Sequence, residues 1–313
     1  MDPDRSNSIL LISPDDGTKL SRSGDAWIDG SGHRYGYLAS ALDLRPKLPV
    51  RGTVPYEIAD HAIFRSFEYR TSLRPLFGPG STGNKAQAFK ELAIQGFVPP
   101  AEPGAWVLDH GCGAGKLRPF LESKGYSYVG ADNETGTSTE QGGGHQFKGG
   151  ATHLCDLHRL PFEADTFQFI VSYSVFEHLQ NPLVGAAELF RVLKPGGICL
   201  VALAAVMPFH MDSFYHHTHF GMLATFRNAG FEIDQIAPAR WSSFLALGSM
   251  DGLPGPRLLR VVLSQLFYRA HLFLWWLRTR VKGRDPRVEN RRRDLAMAGI
   301  MKAVLRKPHS SGV

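Results

Sequence analysis

The sequence Val-Leu-Asp-His-Gly-Cys-Gly-Ala-Gly at residues 107–115 decides the fold. An apolar segment typical of a strand precedes its glycines, and a segment typical of a helix follows them. Glycines at such a junction let the backbone turn tightly and approach a ligand closely. Glycine triplets also occur in turns that bind no ligand. Whether this loop binds a ligand, and which one, has to be inferred from the residues around it.

Two further acids stand where predicted strands end. The strand Tyr-Val-Gly-Ala-Asp ends at Asp132, 21 residues after Gly111, and a carboxylate at this distance reaches a ribose diol. A third strand ends at Asp156. Because the carboxyl ends of the first three strands of a doubly wound sheet converge on one crevice, we expect Asp109, Asp132 and Asp156 to line it.

The spacing of the glycines distinguishes two kinds of nucleotide. A dinucleotide-binding GxGxxG motif would require a third glycine where this chain has Lys116. Asp109 lies two residues before the first glycine, where a carboxylate suits a cationic ligand such as a methionine amino group. It would be poorly placed beside a pyrophosphate, which binds helix N–H groups away from anions. A nicotinamide oxidoreductase is therefore disfavoured.

Strand-like and helix-like segments alternate from residue 84 to residue 236, which predicts an α/β fold with a doubly wound, mostly parallel sheet. The predicted strands are 105–108, 126–131, 151–155, 167–173, 198–203 and 231–236. We expect a small β unit at 1–50, a helical linker at 51–83 and the main domain at 84–313, with a helical basic insertion at 241–294.

Five motifs in this order resemble those of the class I S-adenosylmethionine-dependent methyltransferases. They are VLDHGCGAGKL from Val107, YVGAD from Tyr128, HLCDLHRLPFEADTFQFIVSYSVFEHL from His153, ELFRVLKPGG from Glu188 and RNAGFEI from Arg227. The resemblance implies a Rossmann-like sheet whose last strand, here 299–306, is antiparallel. It also implies S-adenosylmethionine as methyl donor and S-adenosylhomocysteine as product, and we expect no metal.

The resemblance further implies a role for each matching residue. The first acid and the glycine loop would hold the methionine part, Asp132 would bind the ribose hydroxyls, and Asp156 would lie beside the adenine. Ser172 and Tyr173 would face the sulfonium, and His178 would lie near the site entrance. The implied cofactor-binding residues are Asp109, Gly111, Cys112, Gly113, Gly115, Asp132, Asn133, Asp156, Leu157, Ser172, Tyr173 and His178.

Four histidines lie within ten residues after the fifth strand, where acceptor-facing residues of this fold usually lie. Histidine takes up a proton near neutral pH and could act as general base for a hydroxyl acceptor. We favour His216 or His219 as this base, followed by His210. Some of these rings could instead cap a helix or pack in the core. A zinc pair of His216 with His217 or His219 lacks a third ligand.

The N-terminal segment resembles the small zinc ribbons that accompany some methyltransferases. The four cysteine positions of such a ribbon would correspond to Ser13, Asp16, Asp29 and Gly32. Without thiolates the site should not hold structural zinc. We expect either a ribbon that kept its shape and lost its metal, or an unrelated β-hairpin unit.

Most of the positive charge lies near the carboxyl end. Residues 257–307 contain 14 Lys and Arg against 3 Asp and Glu, whereas the whole chain has a net charge of +6. Within this region, 257–284 predicts a basic amphipathic helix. It could lie in a membrane interface, pack on the core or pair with another subunit. No RNA-binding motif accompanies the basic run at 291–293, so a nucleic-acid partner is not expected.

The three cysteines are far apart, which fits a reducing cytosol. No secretory leader or membrane-spanning segment is expected. We therefore expect a cytoplasmic methyltransferase, which would be peripheral at the inner face of the membrane if 257–284 binds lipid. The acceptor would be a small molecule, a glycan or a lipid-linked amphiphile, modified by O-methylation. The alternative is a non-catalytic Rossmann-like protein that docks through its basic helices. The sequence does not indicate an oligomeric state.

Overall fold

The computed structural model describes residues 9–47, 96–133, 150–206, 213–238 and 254–309. Three sequence predictions lie outside these ranges: the helical linker 51–83, His210 and the first part of the insertion, 241–253. The strands are β1 Ser21–Ser23, β2 Ala26–Ile28, β3 Arg34–Tyr35, β4 Tyr37–Leu38, β5 Ala41–Asp43, β6 Trp106–His110, β7 Ser127–Asp132, β8 His153–Leu154, β9 Phe167–Tyr173, β10 Leu193–Ala204, β11 Glu232–Pro238 and β12 Ile300–Arg306. The helices are α1 Arg118–Ser123, α2 Pro182–Val192, α3 His219–Asn228, α4 Arg257–Val281 and α5 Pro286–Ala296, with a 3-10 helix at Phe176–His178.

The main sheet has the strand order β11-β12-β10-β9-β6-β7-β8-β5-β4. Strands β10, β9, β6, β7 and β8 pair in parallel, whereas β12 is antiparallel to both β10 and β11. This is the Rossmann-like arrangement that the sequence predicted, including the antiparallel last strand, and the predicted fold class is confirmed.

The N-terminal segment contributes to two sheets. Strands β1, β2 and β3 form a separate antiparallel sheet. Strand β5 pairs in parallel with β8, and β4 pairs antiparallel with β5, so both extend the main sheet. Residues 37–43, which follow the separate sheet in the chain, are therefore part of the main sheet. The predicted domain boundaries remain predictions.

A capping residue sets the start of one helix, and one strand begins earlier than the sequence indicated. Helix α3 begins at His219, because the Thr218 side chain accepts a hydrogen bond from the Gly221 N–H at 3.0 Å and caps the helix. Strand β10 begins at Leu193, directly after α2, because its Lys-Pro-Gly-Gly segment continues as extended chain. An irregularity in the pairing with β9 between Leu193 and Ile198 absorbs these residues.

Apolar side chains bury both faces of the parallel strands. On one face Leu108, Ile170 and Leu203 belong to the larger buried cluster, together with residues of α2 and α3. On the other face Val107 and Phe169 pack with Leu121 of α1. Burial on both faces explains why these strands are near-continuous apolar runs in the sequence. It also fixes the carboxyl ends of β6, β7 and β9 along one edge.

At the carboxyl end, α4 and α5 form a helical pair before β12. The Arg293 Nε donates a hydrogen bond to His271 Nε2 at 2.8 Å, which joins the two helices. No helix in the part of the chain that the structure describes is both long and apolar enough to cross a bilayer.

Candidate functional site

The glycine loop after β6 has a backbone shape that favours glycine. Gly111, Gly113 and Gly115 have φ angles of +69°, +54° and +63°, in the left-handed region. A Cβ at Gly111 would collide with the Val175 side chain, and one at Gly115 would lie 2.9 Å from the Gly150 carbonyl oxygen. Only glycine fits this backbone shape and this close packing at the end of β6.

Asp109 is buried at the end of β6, beneath this loop. Its Oδ2 accepts a hydrogen bond from the Tyr128 hydroxyl at 2.9 Å. Burial and the Asp109 charge raise the pKa of Tyr128, so the phenol stays protonated and remains a donor. The sequence analysis did not identify Tyr128 as a site residue, although it begins the YVGAD motif. Its role depends on its being next to Val107 across the β6–β7 pair.

Asp132, the last residue of β7, is joined directly to the glycine loop. Its Oδ2 accepts a hydrogen bond from the Gly113 N–H at 2.7 Å, and its Oδ1 accepts one from the Asn133 N–H at 2.8 Å. The Gly111 and Cys112 N–H groups donate to the Ala131 carbonyl at 2.8 and 3.1 Å. The end of β7 therefore holds the loop in place, as the convergence of strand ends predicted.

Cys112 supports the loop from below. Its side chain is buried in a small cluster with Ala41 of β5, Ala151 and Leu154. Burial, and then the charges of Asp109 and Asp132, raise the pKa of the thiol well above its ordinary value, so it is not a thiolate. Cys112 thus has a packing role that couples the N-terminal strand β5 to the crevice.

Asp156 is oriented by a histidine that the sequence analysis missed. Its Oδ1 accepts hydrogen bonds from the His158 N–H at 2.8 Å and is 2.7 Å from His158 Nδ1. The His158 side chain, followed by burial acting in the opposite direction, leaves the pKa of Asp156 below its ordinary value. The Asn181 N–H donates to His158 Nε2 at 3.1 Å, which places the ring proton on Nδ1. Leu157, between them in the chain, is buried.

Ser172 and Tyr173 point to opposite faces of the sheet. Ser172 Oγ lies 3.0 Å from Nδ1 of His110, and both residues are fully buried. Burial lowers the pKa of His110 to about 4, so the ring is neutral near pH 7. The strand register places Tyr173, and not Ser172, on the face that Asp109 occupies. The structure therefore brings Tyr173 to that face and holds Ser172 in the core.

A buried lysine accompanies Tyr173. Ala202 of β10 pairs with Tyr173 on one side and with Lys302 of β12 on the other, so Lys302 lies two strands from Tyr173. The Lys302 Nζ is 5.8 Å from the Tyr173 ring centroid. Burial lowers the pKa of Lys302 to about 8, and burial followed by the Glu177 charge raises the pKa of Tyr173. The sequence signal for Lys302 is a single charge within the apolar strand IMKAVL. It becomes meaningful only once the strand order is known.

The histidine-rich segment is the stretch 210–219, which the structure describes from residue 213. It lies across the carboxyl ends of β9 and β10. The Phe214 and Tyr215 N–H groups donate to the Glu177 carbonyl at 2.7 and 3.2 Å, and the His217 N–H donates to the Ala204 carbonyl at 2.9 Å. This docks the segment on the 3-10 helix that contains Glu177 and His178. His178 itself is partly buried at the end of that helix.

The described histidines of the segment differ in burial. His217 is buried, and burial lowers its pKa to about 4. Burial also lowers the pKa of His219, the first residue of α3, while His216 is partly buried. His216 and His219 therefore lie at the edge where the sequence analysis placed the base. His210, the third candidate, lies outside the described residues.

Apolar side chains are exposed along the same edge. Val206, Phe214, Tyr215 and Phe220 each expose roughly half of their surface. We call these four residues the apolar rim. Exposed apolar groups gathered beside a polar crevice are typical of a ligand-binding mouth.

In the N-terminal segment, hydrogen bonds join the two turns of the predicted ribbon. Ser13 Oγ accepts from the Asp15 and Asp16 N–H groups at 3.1 and 3.2 Å and donates to Asp29 Oδ2 at 2.9 Å. Asp29 Oδ1 accepts from the Ser31 and His33 N–H groups at 3.0 and 2.8 Å. Ser13 and Asp29, the first positions of the two predicted cysteine pairs, therefore each accept hydrogen bonds from two backbone N–H groups and bond to each other.

Of the described residues, one group of three metal-ligand types comes together: Asp15, Asp29 and His33, whose ligand atoms lie within 4.8 Å of one another. Tyr35 donates to Asp15 Oδ2 at 2.6 Å and contacts Asp29 Oδ2 at 3.1 Å. The carboxylates are thus engaged by hydroxyl and amide donors. The resemblance to a zinc ribbon remains a prediction.

Comparison with known proteins finds a family match that includes the ends of β6, β7 and β9. Residues 108–201 match the family described as a methyltransferase domain. The chain is 28% identical over 99 residues to an uncharacterized methyltransferase of Mycobacterium marinum, a match covering 32% of this chain and 39% of the relative. It is also 28% identical over 119 residues to human probable tRNA methyltransferase 9B, covering 36% and 24%. The match therefore spans less than half the length of these relatives.

Among solved structures, the chain resembles phosphoethanolamine N-methyltransferase 2 of Haemonchus contortus in complex with S-adenosyl-L-methionine. The TM-score is 0.43 and the identity 18%, covering 70% of this chain and 52% of that one. The family match at residues 108–201 confirms the resemblance to S-adenosylmethionine-dependent methyltransferases that the motifs indicated.

Proposed function

We propose that this protein, whose residues 108–201 match the methyltransferase-domain family, transfers the methyl group of S-adenosylmethionine to an acceptor bound beside the histidine-rich segment. The observation that supports this most strongly is the linked arrangement of Asp109, the glycine loop and Asp132 at adjacent strand ends. S-adenosylhomocysteine is the expected product.

The residues of the crevice fit such a ligand. The buried Asp109 carboxylate would attract the positively charged amino group of the methionine part, and the left-handed glycines leave the loop backbone open to it. Asp132 lies at the end of the second strand of the parallel core, where a carboxylate binds ribose hydroxyls. Asp156, held by His158, would accept a hydrogen bond from the adenine amino group.

In this reaction the chain's main task is positioning. The acceptor atom forms a bond to the methyl carbon on the side opposite the sulfur, and the carbon–sulfur bond breaks with its electron pair remaining on sulfur. Holding the two reactants in line and excluding water supplies much of the rate. Tyr173, on the same sheet face as Asp109, is the described side chain best placed to border the methyl.

For a hydroxyl acceptor we propose His216 or His219 as general base, as the sequence predicted. Partial burial keeps His219 neutral near pH 7, so its ring can accept the hydroxyl proton. His217 is buried and serves the segment's packing instead. His210 is the remaining candidate.

The surface next to the crevice supports a proposal for the class of acceptor. The apolar rim lies beside polar, titratable groups, an arrangement that suits an amphiphile with an apolar part and a polar acceptor group. We therefore propose O-methylation of a small molecule, glycan or lipid-linked acceptor by a cytoplasmic protein, with lipid-linked glycans as the first class to try.

The experiment is a transfer assay with methyl-labelled S-adenosylmethionine and fractionated cell extract. Label should move to an acceptor fraction with release of S-adenosylhomocysteine, and Asp132→Asn should abolish both. Asp234→Asn, an exposed acid on β11, is the matched control and should retain activity. If wild-type protein binds S-adenosylhomocysteine but moves no label to any fraction, the non-catalytic alternative is favoured.

A further inference from the structure

Helix α4 exposes a broad apolar stripe. Leu258, Phe267 and Leu274 expose 77%, 67% and 62% of their surface, well above what a packed helix face shows. At 100° per residue the exposed apolar side chains cover half of the helix circumference along its whole length. Its largest members are Leu258, Leu259, Leu266, Phe267, Phe273 and Leu274. We call this surface the α4 stripe.

The opposite side of α4 faces the protein. Thr279 is buried, and its Oγ1 donates to the Trp275 carbonyl at 2.5 Å. Arg293 of α5 lies over the Trp275 ring at 4.6 Å and also contacts His271. Because these contacts place α5 on the opposite side of α4, the α4 stripe points away from α5.

Arginines border the stripe on both sides. Helical spacing places Arg269 and Arg280 along one border and Arg260 and Arg278 along the other. Arg280 and Arg278 lie 5.0 and 5.4 Å from the ring centroids of Trp276 and Trp275. The 25-residue helix contains no Asp or Glu.

We propose that the α4 stripe lies in the interface of an anionic phospholipid bilayer, with the helix parallel to the membrane surface. Apolar residues would enter the acyl boundary, Trp276 would lie at headgroup level, and the bordering arginines would reach lipid phosphates. Charge favours this occupant over a second copy of the helix. Two such stripes face to face would bring arginines together with no acid on either helix.

The test is co-sedimentation of the full chain with phosphatidylcholine vesicles, with or without phosphatidylglycerol. We expect binding to the mixed vesicles and much weaker binding to phosphatidylcholine alone. Each bordering arginine should contribute about fivefold, so Arg269→Glu/Arg280→Glu should weaken binding by at least about 25-fold. Arg22→Glu/Arg227→Glu changes the net charge equally at exposed sites elsewhere and should have a much smaller effect.

The apolar part is tested separately. Phe267→Glu should abolish binding to mixed vesicles, whereas Leu10→Glu, at another exposed apolar residue, should not. Thermal unfolding and sedimentation velocity without lipid accompany each variant. No binding of folded wild-type protein, equal binding to both vesicle types, or a wild-type dimer that Phe267→Glu converts to monomer would overturn the proposal. The assay contains no methyl donor, so its outcome is independent of the proposed function.

Discussion

Each acid in the crevice is held by a different kind of donor, and the donor determines how firmly its carboxylate is oriented. Asp109 accepts a hydrogen bond from a phenol, Asp132 accepts one from a backbone N–H of the glycine loop, and Asp156 is paired with an imidazole. Hydrogen bonds to ionised groups are stronger than neutral ones, and buried donors lose little freedom when they form. The crevice is therefore preorganised for a ligand with several polar groups.

Tyr128→Phe should weaken S-adenosylhomocysteine binding about tenfold while the fold is retained. The change removes one hydrogen bond to a buried carboxylate, whose worth is about 1.5–3 kcal/mol. Calorimetry measures the effect. Tyr126→Phe removes a hydroxyl that donates to the Pro99 carbonyl and leaves the crevice untouched. Equal affinity of the Tyr128→Phe and wild-type proteins would show that Asp109 does not contact the ligand.

His216→Asn or His219→Asn should lower methyl transfer at least about 100-fold for whichever histidine is the base. The loss removes proton acceptance and not positioning of the donor, so S-adenosylhomocysteine should bind within about twofold of wild type. His33→Asn, in the N-terminal unit, provides a matched control. If both crevice variants retain full turnover, neither histidine is the base.

The sequence predicted the residues of the site whose geometry is local. Asp109, the glycines and Asp132 follow from one strand-turn-helix and one strand, so their spacing was sufficient. Tyr128 and Lys302 were missed because their contacts arise between strands, and only the register reveals them. His158 was missed although it lies two residues after Asp156, because a histidine near an acid has no distinctive spacing.

At the scale of elements, the N-terminal turns illustrate how hydrogen bonds can stand where a metal would be expected. Ser13 and Asp29 each accept hydrogen bonds from backbone N–H groups, and the Ser13 hydroxyl donates a hydrogen bond to Asp29. Although burial alone would raise it, the hydrogen bonds from His33, Ser13 and Tyr35 lower the pKa of Asp29 overall. The stability that Asp29 provides is thus fully present above pH 3.8, the ordinary pKa of the side chain. It is lost as the pH falls from 3.8 through the lower pKa of the folded state.

Asp29→Ala should lower the free energy of unfolding by about 2 kcal/mol, because several donors lose a charged acceptor. Asp25→Ala, in the neighbouring exposed turn, should have little effect. Chemical denaturation measures both. Excess chelator should leave the wild-type transition unchanged. A chelator-dependent fall in stability would instead indicate that Asp15, Asp29 and His33 hold a metal.

The doubly wound, mostly parallel arrangement of the long strands could be predicted, but the edges of the sheet could not. Long apolar strands separated by helices restrict the topology to a few arrangements. Strands β4 and β5 have two and three residues, too few for a periodic signal, and β5 pairs with β8 more than a hundred residues later. Strand β10 was predicted too short because its Lys-Pro-Gly-Gly segment normally indicates a turn.

At the scale of the whole molecule, three buried histidines couple the fold to pH. Burial lowers the pKa values of His110, His153 and His217 to about 4, from an ordinary value of 6.5. Between pH 6.5 and 4 the unfolded chain binds more protons at these positions than the folded chain. Stability should therefore rise with pH across this window and fall as pH is lowered through it.

Denaturation midpoints at pH 7.5, 6 and 5 test this coupling. The free energy of unfolding should decrease at each step, and His153→Gln should reduce the slope because it removes one of the three titrating groups. A flat profile between pH 7.5 and 5 would mean that these rings are hydrated in the folded protein.

The central claim is that the crevice at the ends of β6 and β7 binds the methyl donor. The most direct measurement is calorimetric titration of the purified protein with S-adenosylhomocysteine and, in parallel, with NAD. The account predicts roughly micromolar binding of S-adenosylhomocysteine, weakened at least about 30-fold in folded Asp132→Ala, whose carboxylate would bind the ribose, and unchanged in Asp234→Ala. NAD should not bind. Folded wild-type protein that binds NAD, or that binds neither ligand, would contradict it.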